Sequence, residues 1–265
     1  MLNLEEVLLN VKKVIKEVGK YQLDNFQRTL DVDTKSTEND LVTNVDKSSE
    51  EKIIRFIKEK YPDHDILSEE GGGLTNNSNY RWVIDPLDGT NNFAHGFPIF
   101  TVSIALEYDS RVVLGCVYYP VQDELFFAVE GGGSYLNENK INVSKAESIS
   151  HAILVTGFPY DKAESNDNNL DHINRILPLI RGLRRTGSAA YDLCNVARGS
   201  FDGYWELKLN LWDIAAGKLI VEEAGGKVVY ITTNDNIRLV AGNLPLVEDL
   251  LDELKKENDY WYISL

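Results

Sequence analysis

Long apolar runs are missing from this 265-residue chain. No stretch is uninterrupted over the roughly 20 residues that a membrane-crossing helix requires, so a bilayer-spanning role is not expected. Cysteine is scarce. Cys116 and Cys194 are the two in the sequence, each in an apolar setting and without a Cys-x-x-Cys partner, which excludes a disulfide framework and points to buried free thiols in a reducing compartment. His64, His95, His151 and His172 show no paired ligand spacing, so a zinc site is not expected and any metal should be held by oxygen. Basic residues are outnumbered, 27 against 42 acidic, giving a net charge of −15 and a pI of about 4.7. That balance argues against a general nucleic-acid or anionic-membrane surface, because either would favour a basic patch. The N-terminus lacks a basic segment followed by an apolar core and a cleavage site, and a cytoplasmic protein is expected. Internal repeats and low-complexity tracts are also absent.

What the chain does have is a foldable composition, 43% hydrophobic and 26% charged, which excludes disorder as its general state. Leu4, Val7, Leu8, Val11, Val14, Ile15 and Val18 follow helical spacing and predict a first helix. A polar stretch from Thr34 to Asn44 follows, and Ser48-x-x-Glu51 reads as the capping box of a second helix whose buried face is Ile53, Ile54, Phe56 and Ile57. From Arg81 onward strands dominate. The runs 101–106, 112–119 and 124–129 are separated by turn residues and predict one antiparallel sheet. Gly131-Gly132-Gly133 resembles a phosphate cradle, but a strand-like Ser134-Tyr135-Leu136 follows it instead of a helix, so a hairpin turn is the stronger reading. After Lys145 strand and helix alternate, with a strand at 152–156, helices at 170–180 and 191–198, strands at 228–231 and 239–241, and a closing helix marked by Val247, Leu250, Leu251 and Leu254. The expected organisation is an N-terminal α+β half, residues 1–147, and a C-terminal α/β half, residues 148–265, packed as one unit with the functional site between them.

The densest chemical signal is Trp82-Val83-Ile84-Asp85-Pro86-Leu87-Asp88-Gly89-Thr90. The first three residues favour a strand, Pro86 removes a ladder donor, and Gly89 permits a tight turn, so Asp85 and Asp88 emerge at a strand end. Two close carboxylates repel and call for a cation between them, and oxygen ligands suit a hard ion such as Mg2+. An ordinary Asp-rich turn is the competing reading. Far along the chain, Leu211-Trp212-Asp213-Ile214-Ala215-Ala216-Gly217 looks like a capped helix start, with Asp213 as N-cap and Gly225-Gly226 as the left-handed stop. Taken alone, a plain helix cap is the stronger reading of that segment.

Taken with Leu67-Ser68-Glu69-Glu70-Gly71 and with Lys35 through Leu41-Val42-Thr43 to Asp46, these two segments resemble the inositol monophosphatase family of Mg2+-dependent, lithium-sensitive phosphatases over nearly the whole chain. The resemblance implies a layered α/β/α/β/α sandwich, two or three Mg2+ ions per site with Mn2+ as a substitute, and a homodimer. It assigns metal contacts to Glu69, Asp85, the Leu87 carbonyl, Asp88 and Asp213. Glu70 and Lys35 would stand behind them or serve a third ion, Glu70 being the harder to place because neighbours on a strand face opposite ways. Thr90 and Asp46 would orient and activate the attacking water, and Gly89 with Thr90 would offer backbone N–H groups to the phosphate. Gly187, Ser188, Ala189, Glu206 and Asp213 would meet the substrate, Glu206 as a carboxylate suited to vicinal hydroxyls. Asn210 stands where some relatives have histidine, and Ser68 where many have glycine. The expected reaction is hydrolysis of an inositol phosphate. Related alternatives are the 2'-phosphate of NADP(H), fructose 1,6-bisphosphate and 3'-phosphoadenosine phosphate, for which Arg184, Arg185 and Lys208 are candidate contacts to further charge. A catalytically silent metal-binding regulator is the alternative from another class.

Overall fold

The computed structural model describes residues 2–28, 32–35, 41–233, 236–255 and 261. Helix α1 (Leu4–Asn25) is capped by the Asn3 side chain and buries Val7, Val11, Val14, Ile15 and Val18 as one stripe. Strands β1 (Val32–Thr34) and β2 (Leu41–Thr43) pair antiparallel; residues 36–40 of the polar stretch between them lie outside the described residues. Helix α2 (Asn44–Lys60) starts earlier than Ser48. Thr43 and Asp46 form the capping box instead, and Val45, Ser49, Ile53 and Ile57 then continue a single buried stripe at i, i+4 spacing.

A seven-stranded sheet follows in sequence order: β3 (Asp65–Ser68), β4 (Tyr80–Asp88), then, after the single-turn helix α3 (Thr90–Ala94), β5 (Thr101–Tyr108), β6 (Arg111–Tyr119), β7 (Glu124–Val129), β8 (Gly133–Leu136) and β9 (Asn139–Lys140). The expected antiparallel series is present, with β3 added parallel to β4 at one edge. The triple glycine is the hairpin between β7 and β8, and its Gly131 and Gly133 N–H groups donate to the Glu223 carboxylate at 2.8 and 2.7 Å. A side chain of the protein already occupies that cradle.

The second sheet is built from β10 (Ile153–Thr156), β11 (Gly182–Arg184), β12 (Gly203–Leu209), β13 (Lys227–Thr233) and β14 (Asn236–Gly242) in the order β11-β10-β12-β14-β13. Its helices are α4 (Leu170–Ile176), α5 (Ala189–Ala197), α6 (Leu211–Glu223) and α7 (Leu244–Lys255). The helix expected over 170–180 ends at Ile176 and tightens into a 3-10 turn at Leu177–Leu179, since Pro178 has no N–H to continue the ladder. The helix expected from Tyr191 begins at Ala189, because the Ser188 hydroxyl accepts from Tyr191 N and caps it.

Period-two alternation in the first sheet separates the layers. Trp82, Ile84, Ile104, Cys116 and Phe127 face α1 and α2, whereas Val83, Ala105, Val117 and Phe126 face the other way, onto α5 and α6. The same two helices pack against Tyr204, Leu209, Leu239 and Ala241 of the second sheet. Trp205, Leu207 and Val240 on its far face meet α4 and α7. The result is the α/β/α/β/α sandwich, with Cys116 and Cys194 both buried as free thiols. Among the described residues no helix is long and apolar enough to cross a membrane.

Candidate active site

A register shift in β4 builds the centre of the site. Asp85 pairs with Ser103 and Asp88 with Thr101, so three steps on β4 oppose two on β5 and one residue is extra. Without the bulge, residues at odd separation would face opposite sides of the sheet; with it, Asp85 and Asp88 line one cleft. The bulge is held from both sides. Buried Gln22 of α1 donates to the Pro86 carbonyl at 2.7 Å, and Asp85 Oδ1 accepts from Leu87 N at 3.0 Å. The Leu87 side chain is buried with Val45, Phe93 and Phe100. Gly89 then turns the chain at φ 100°, where a Cβ would stand 2.9 Å from the Ile99 carbonyl, so glycine is required by both conformation and space.

Thr90 follows, and its Oγ1 lies 2.7 Å from Asp46 Oδ1 and 3.1 Å from the Leu87 carbonyl. The other Asp46 oxygen accepts from the Thr43 N–H at 2.9 Å and from the Thr43 hydroxyl. One carboxylate thus caps α2 and holds Thr90. Burial raises its pKa above the aspartate range, against the lowering effect of those hydrogen bonds. Helix α3 is a single turn of five residues and offers little dipole to an anion.

Glu69 and Glu70 sit in the turn beyond β3, not on the strand, so they are not forced to opposite faces. Lys35 Nζ donates to Glu69 Oε1 at 2.8 Å and to Glu70 Oε1 at 2.5 Å. Burial alone would lower the Lys35 pKa, but the two carboxylates outweigh it and hold the lysine charged. Burial lifts Glu69 to about 7. It lifts Asp88 to about 6, even though Ser188 Oγ and Ala190 N both donate to its Oδ2 at 2.7 Å. Asp85 and Asp213 are raised well above the usual carboxylate range too, by burial first and then by the negative charges of Glu69 and Asp88. A hard divalent cation relieves that repulsion, and an all-oxygen donor set fits Mg2+. Among the described residues no three acidic, histidine or cysteine groups are placed so as to hold a metal ion together; the carboxylates are instead spread around a cleft of about 120 Å3.

The second sheet supplies the opposite wall. Asp213 comes third in α6, after Asn210 at the N-cap, and its Oδ2 accepts from Asn210 N at 2.6 Å, so it closes a capping box and is not itself the N-cap. Ser188 faces Asp88 across 100 residues of sequence, with its hydroxyl engaged by that carboxylate. Gly187, Ala189 and Asn210 line the cleft beside it. Glu206 reaches the cleft from β12, just before a second one-residue bulge, which includes Lys208 at φ 58° and after which pairing with β14 resumes at Leu209. Tyr204 OH donates to Glu206 Oε2 at 2.6 Å, and burial lifts this carboxyl to about 7. Of the three basic residues considered for extra charge, Arg185 lines the cleft, Lys208 also does but donates to Asp161 and Ser165 at 2.6 and 3.0 Å, and Arg184 is not part of the lining. The sequence reading missed Gly157, Phe158, Pro159 and Tyr160, which complete the wall. Their signal is their position at the C-terminal end of β10, the end at which parallel strands present ligands.

The profile of the family described as "Inositol monophosphatase family" matches residues 3–262. The chain is 41% identical over 259 residues to "Nus factor SuhB" of Pasteurella multocida, covering 94% of this chain and 96% of that protein. It is 47% identical over 198 residues to "Inositol-1-monophosphatase" of Synechocystis, covering 74% and 69%. The inositol monophosphatase structure from Anabaena superposes with a TM-score of 0.87 at 37% identity, over 96% of this chain and 97% of that one. The chain belongs to the inositol monophosphatase family, a family of phosphatases.

Proposed function

We propose that this protein hydrolyses the phosphate monoester of a small polyol, inositol monophosphate foremost, in a Mg2+-dependent reaction. The observation that carries the reading is the Thr90 hydroxyl, held 2.7 Å from Asp46 Oδ1 at the edge of a cleft that Glu69, Asp85, Asp88 and Asp213 share. This family generally uses Mg2+. Glu69, Asp85, Asp88, Asp213 and the Leu87 carbonyl would hold two or three such ions, with Glu70 beside Lys35 open to a third and Mn2+ an alternative occupant. When bound, the ions supply positive charge to the phosphate oxygens and the departing alkoxide.

The chain's own groups do the rest. With its proton directed at Asp46 Oδ1, Thr90 Oγ1 presents lone pairs to an incoming water, and Asp46, made more basic than ordinary aspartate by burial, receives the proton through that hydroxyl. Gly89 and Thr90 contribute backbone at the phosphate. Tyr204 occupies Glu206 Oε2 and leaves Oε1 to accept from a polyol hydroxyl. Ser188 acts here mainly by orienting Asp88.

A larger substrate with a second anionic group is the alternative, favoured by a depression of about 260 Å3 that shares Phe158, Tyr160 and Arg185 with the cleft and adds His95 and Lys162. Phosphate release from inositol 1-phosphate, NADP, fructose 1,6-bisphosphate and 3'-phosphoadenosine phosphate, with and without Mg2+, decides between them by kcat/KM. No release from any of the four would refute the enzymatic reading and favour a non-catalytic one. A homodimer, lithium inhibition and a cytoplasmic location go with the same proposal. Exposed Phe97, Leu177 and Leu179 support an interface, and a light-scattering mass of one chain would remove it.

A further inference from the structure

We propose that Gly157 is a specificity-determining position: the space left by its missing side chain is the seat of the Glu206 carboxylate, and that seat fixes where a substrate hydroxyl is read. The inference rests on the polyol reading of Glu206 given above.

A Cβ built on Gly157 falls on Oε1, Oε2 and Cδ of Glu206, its three nearest neighbours. The Gly157 backbone is not in the left-handed region, so glycine is demanded here by space and not by conformation. The surrounding groups hold the two backbones in place. Asn169, buried and itself at φ 75°, donates through Nδ2 to the Gly157 carbonyl at 2.7 Å and to Thr156 Oγ1 at 2.8 Å. Its Oδ1 accepts from Trp205 Nε1 at 2.7 Å, while Thr156 Oγ1 donates to the Trp205 carbonyl at 2.6 Å. Trp205 directly precedes Glu206, so one buried amide ties the end of β10 to the strand that carries the carboxylate. On the other side the Tyr204 hydroxyl holds Oε2 at 2.6 Å. An added methyl at residue 157 meets the movable end of a side chain and not a backbone. It should therefore displace the Glu206 carboxylate and break the Tyr204 bond without unfolding the chain. Gly157 is a positioning residue that touches no reacting atom.

The test compares wild type, Gly157→Ala, Glu206→Gln and the double variant in Mg2+, using inositol 1-phosphate and phenyl phosphate, which has no vicinal hydroxyls. Gly157→Ala is expected to lower the kcat/KM ratio of inositol 1-phosphate to phenyl phosphate by about tenfold or more, the loss lying in KM, because a hydrogen bond to a charged acceptor is misplaced. In the double variant the methyl should add little to the effect of Glu206→Gln, since both act through one carboxylate. Tyr204→Phe, which removes a single oxygen, should lower the same ratio in the same direction and keeps the idea testable if Gly157→Ala folds poorly. An unchanged ratio in both Gly157→Ala and Tyr204→Phe, or independent multiplication of the Gly157→Ala and Glu206→Gln effects, would overturn the proposal. Wild-type protein active on phenyl phosphate alone would remove the polyol reading and this inference with it. Inactivity on both substrates would count against the phosphatase proposal itself.

Discussion

Replacing Asp88 by asparagine separates the cost of the carboxylate cluster from its use. In the metal-free protein Asp88 is lifted from 3.8 to about 6, chiefly by burial. At 1.36 kcal/mol per pKa unit, keeping it ionised above pH 6 costs the fold about 3 kcal/mol. The native state binds more protons than the unfolded chain between about pH 4 and pH 6, so metal-free stability falls as pH rises through that window. The replacing amide carries no charge and can accept from Ser188 and Ala190 as before, though a neutral acceptor weakens those two bonds by about 1 kcal/mol in total. A net gain of about 1–2 kcal/mol, or roughly 2–8 °C in Tm, is expected in EDTA at pH 7.5, shrinking toward zero near pH 4. With Mg2+ the order reverses. Wild type gains about 2.7 kcal/mol at a hundredfold excess over Kd, the variant gains much less, and its phosphate release falls by about a hundredfold or more. Calorimetry in EDTA and in Mg2+, beside a phosphate assay, reads all three quantities. A variant less stable than wild type in EDTA, yet equally stabilised by Mg2+ and equally active, would refute the reasoning.

Thr90→Val should lower kcat by about 10²–10³ while leaving the Mg2+-induced Tm shift in place, and Thr90→Ser should recover most of the rate; an active valine variant would dismiss the Thr90–Asp46 relay. Gly89→Ala should cost about 2–3 kcal/mol in urea unfolding, through its left-handed φ and the 2.9 Å approach to Ile99 O, and a loss below about 0.5 kcal/mol would contradict the geometry. His172 is pushed down to about 4 by burial and then by Arg175 and Arg238, so it is neutral in the fold. The unfolded chain takes up its proton first, and stability is therefore lost as pH falls from about 6.5 toward 4, by about 2 kcal/mol between pH 7 and pH 5. His172→Phe should remove that part of the urea-midpoint shift, and an identical pH dependence in the variant would exclude it.

The stripe of Val7, Val11, Val14, Ile15 and Val18, the strand-forming run Trp82 to Ile84 and the motif around Asp85 are local patterns, and each was legible because neighbouring residues alone create it. Boundaries were less legible. Ser48 and Asp213 are both adequate caps in isolation, but Thr43 and Asn210 start the helices because the stripes that pack on the sheets begin there. The Ser188 hydroxyl shows the limit for function: its residue type suits a polyol, and its fold partner is Asp88.

By itself the sequence determined the acidic oxygen-donor chemistry around Asp85 and Asp88 and the apolar settings of the two thiols, because composition and motif are properties of the chain; the layered class and most of the other site residues followed from the family resemblance that its motifs carry. Tertiary structure alone decided which way those residues face. A bulge adds one residue to a strand and reverses the parity of everything beyond it, and its position depends on pairing with a partner strand. That is why Asp85 and Asp88 share a cleft, while Glu206, in register with Leu239 ahead of its own bulge, meets the empty side of Gly157 because β10 pairs beside β12; neither fact could be counted along the chain.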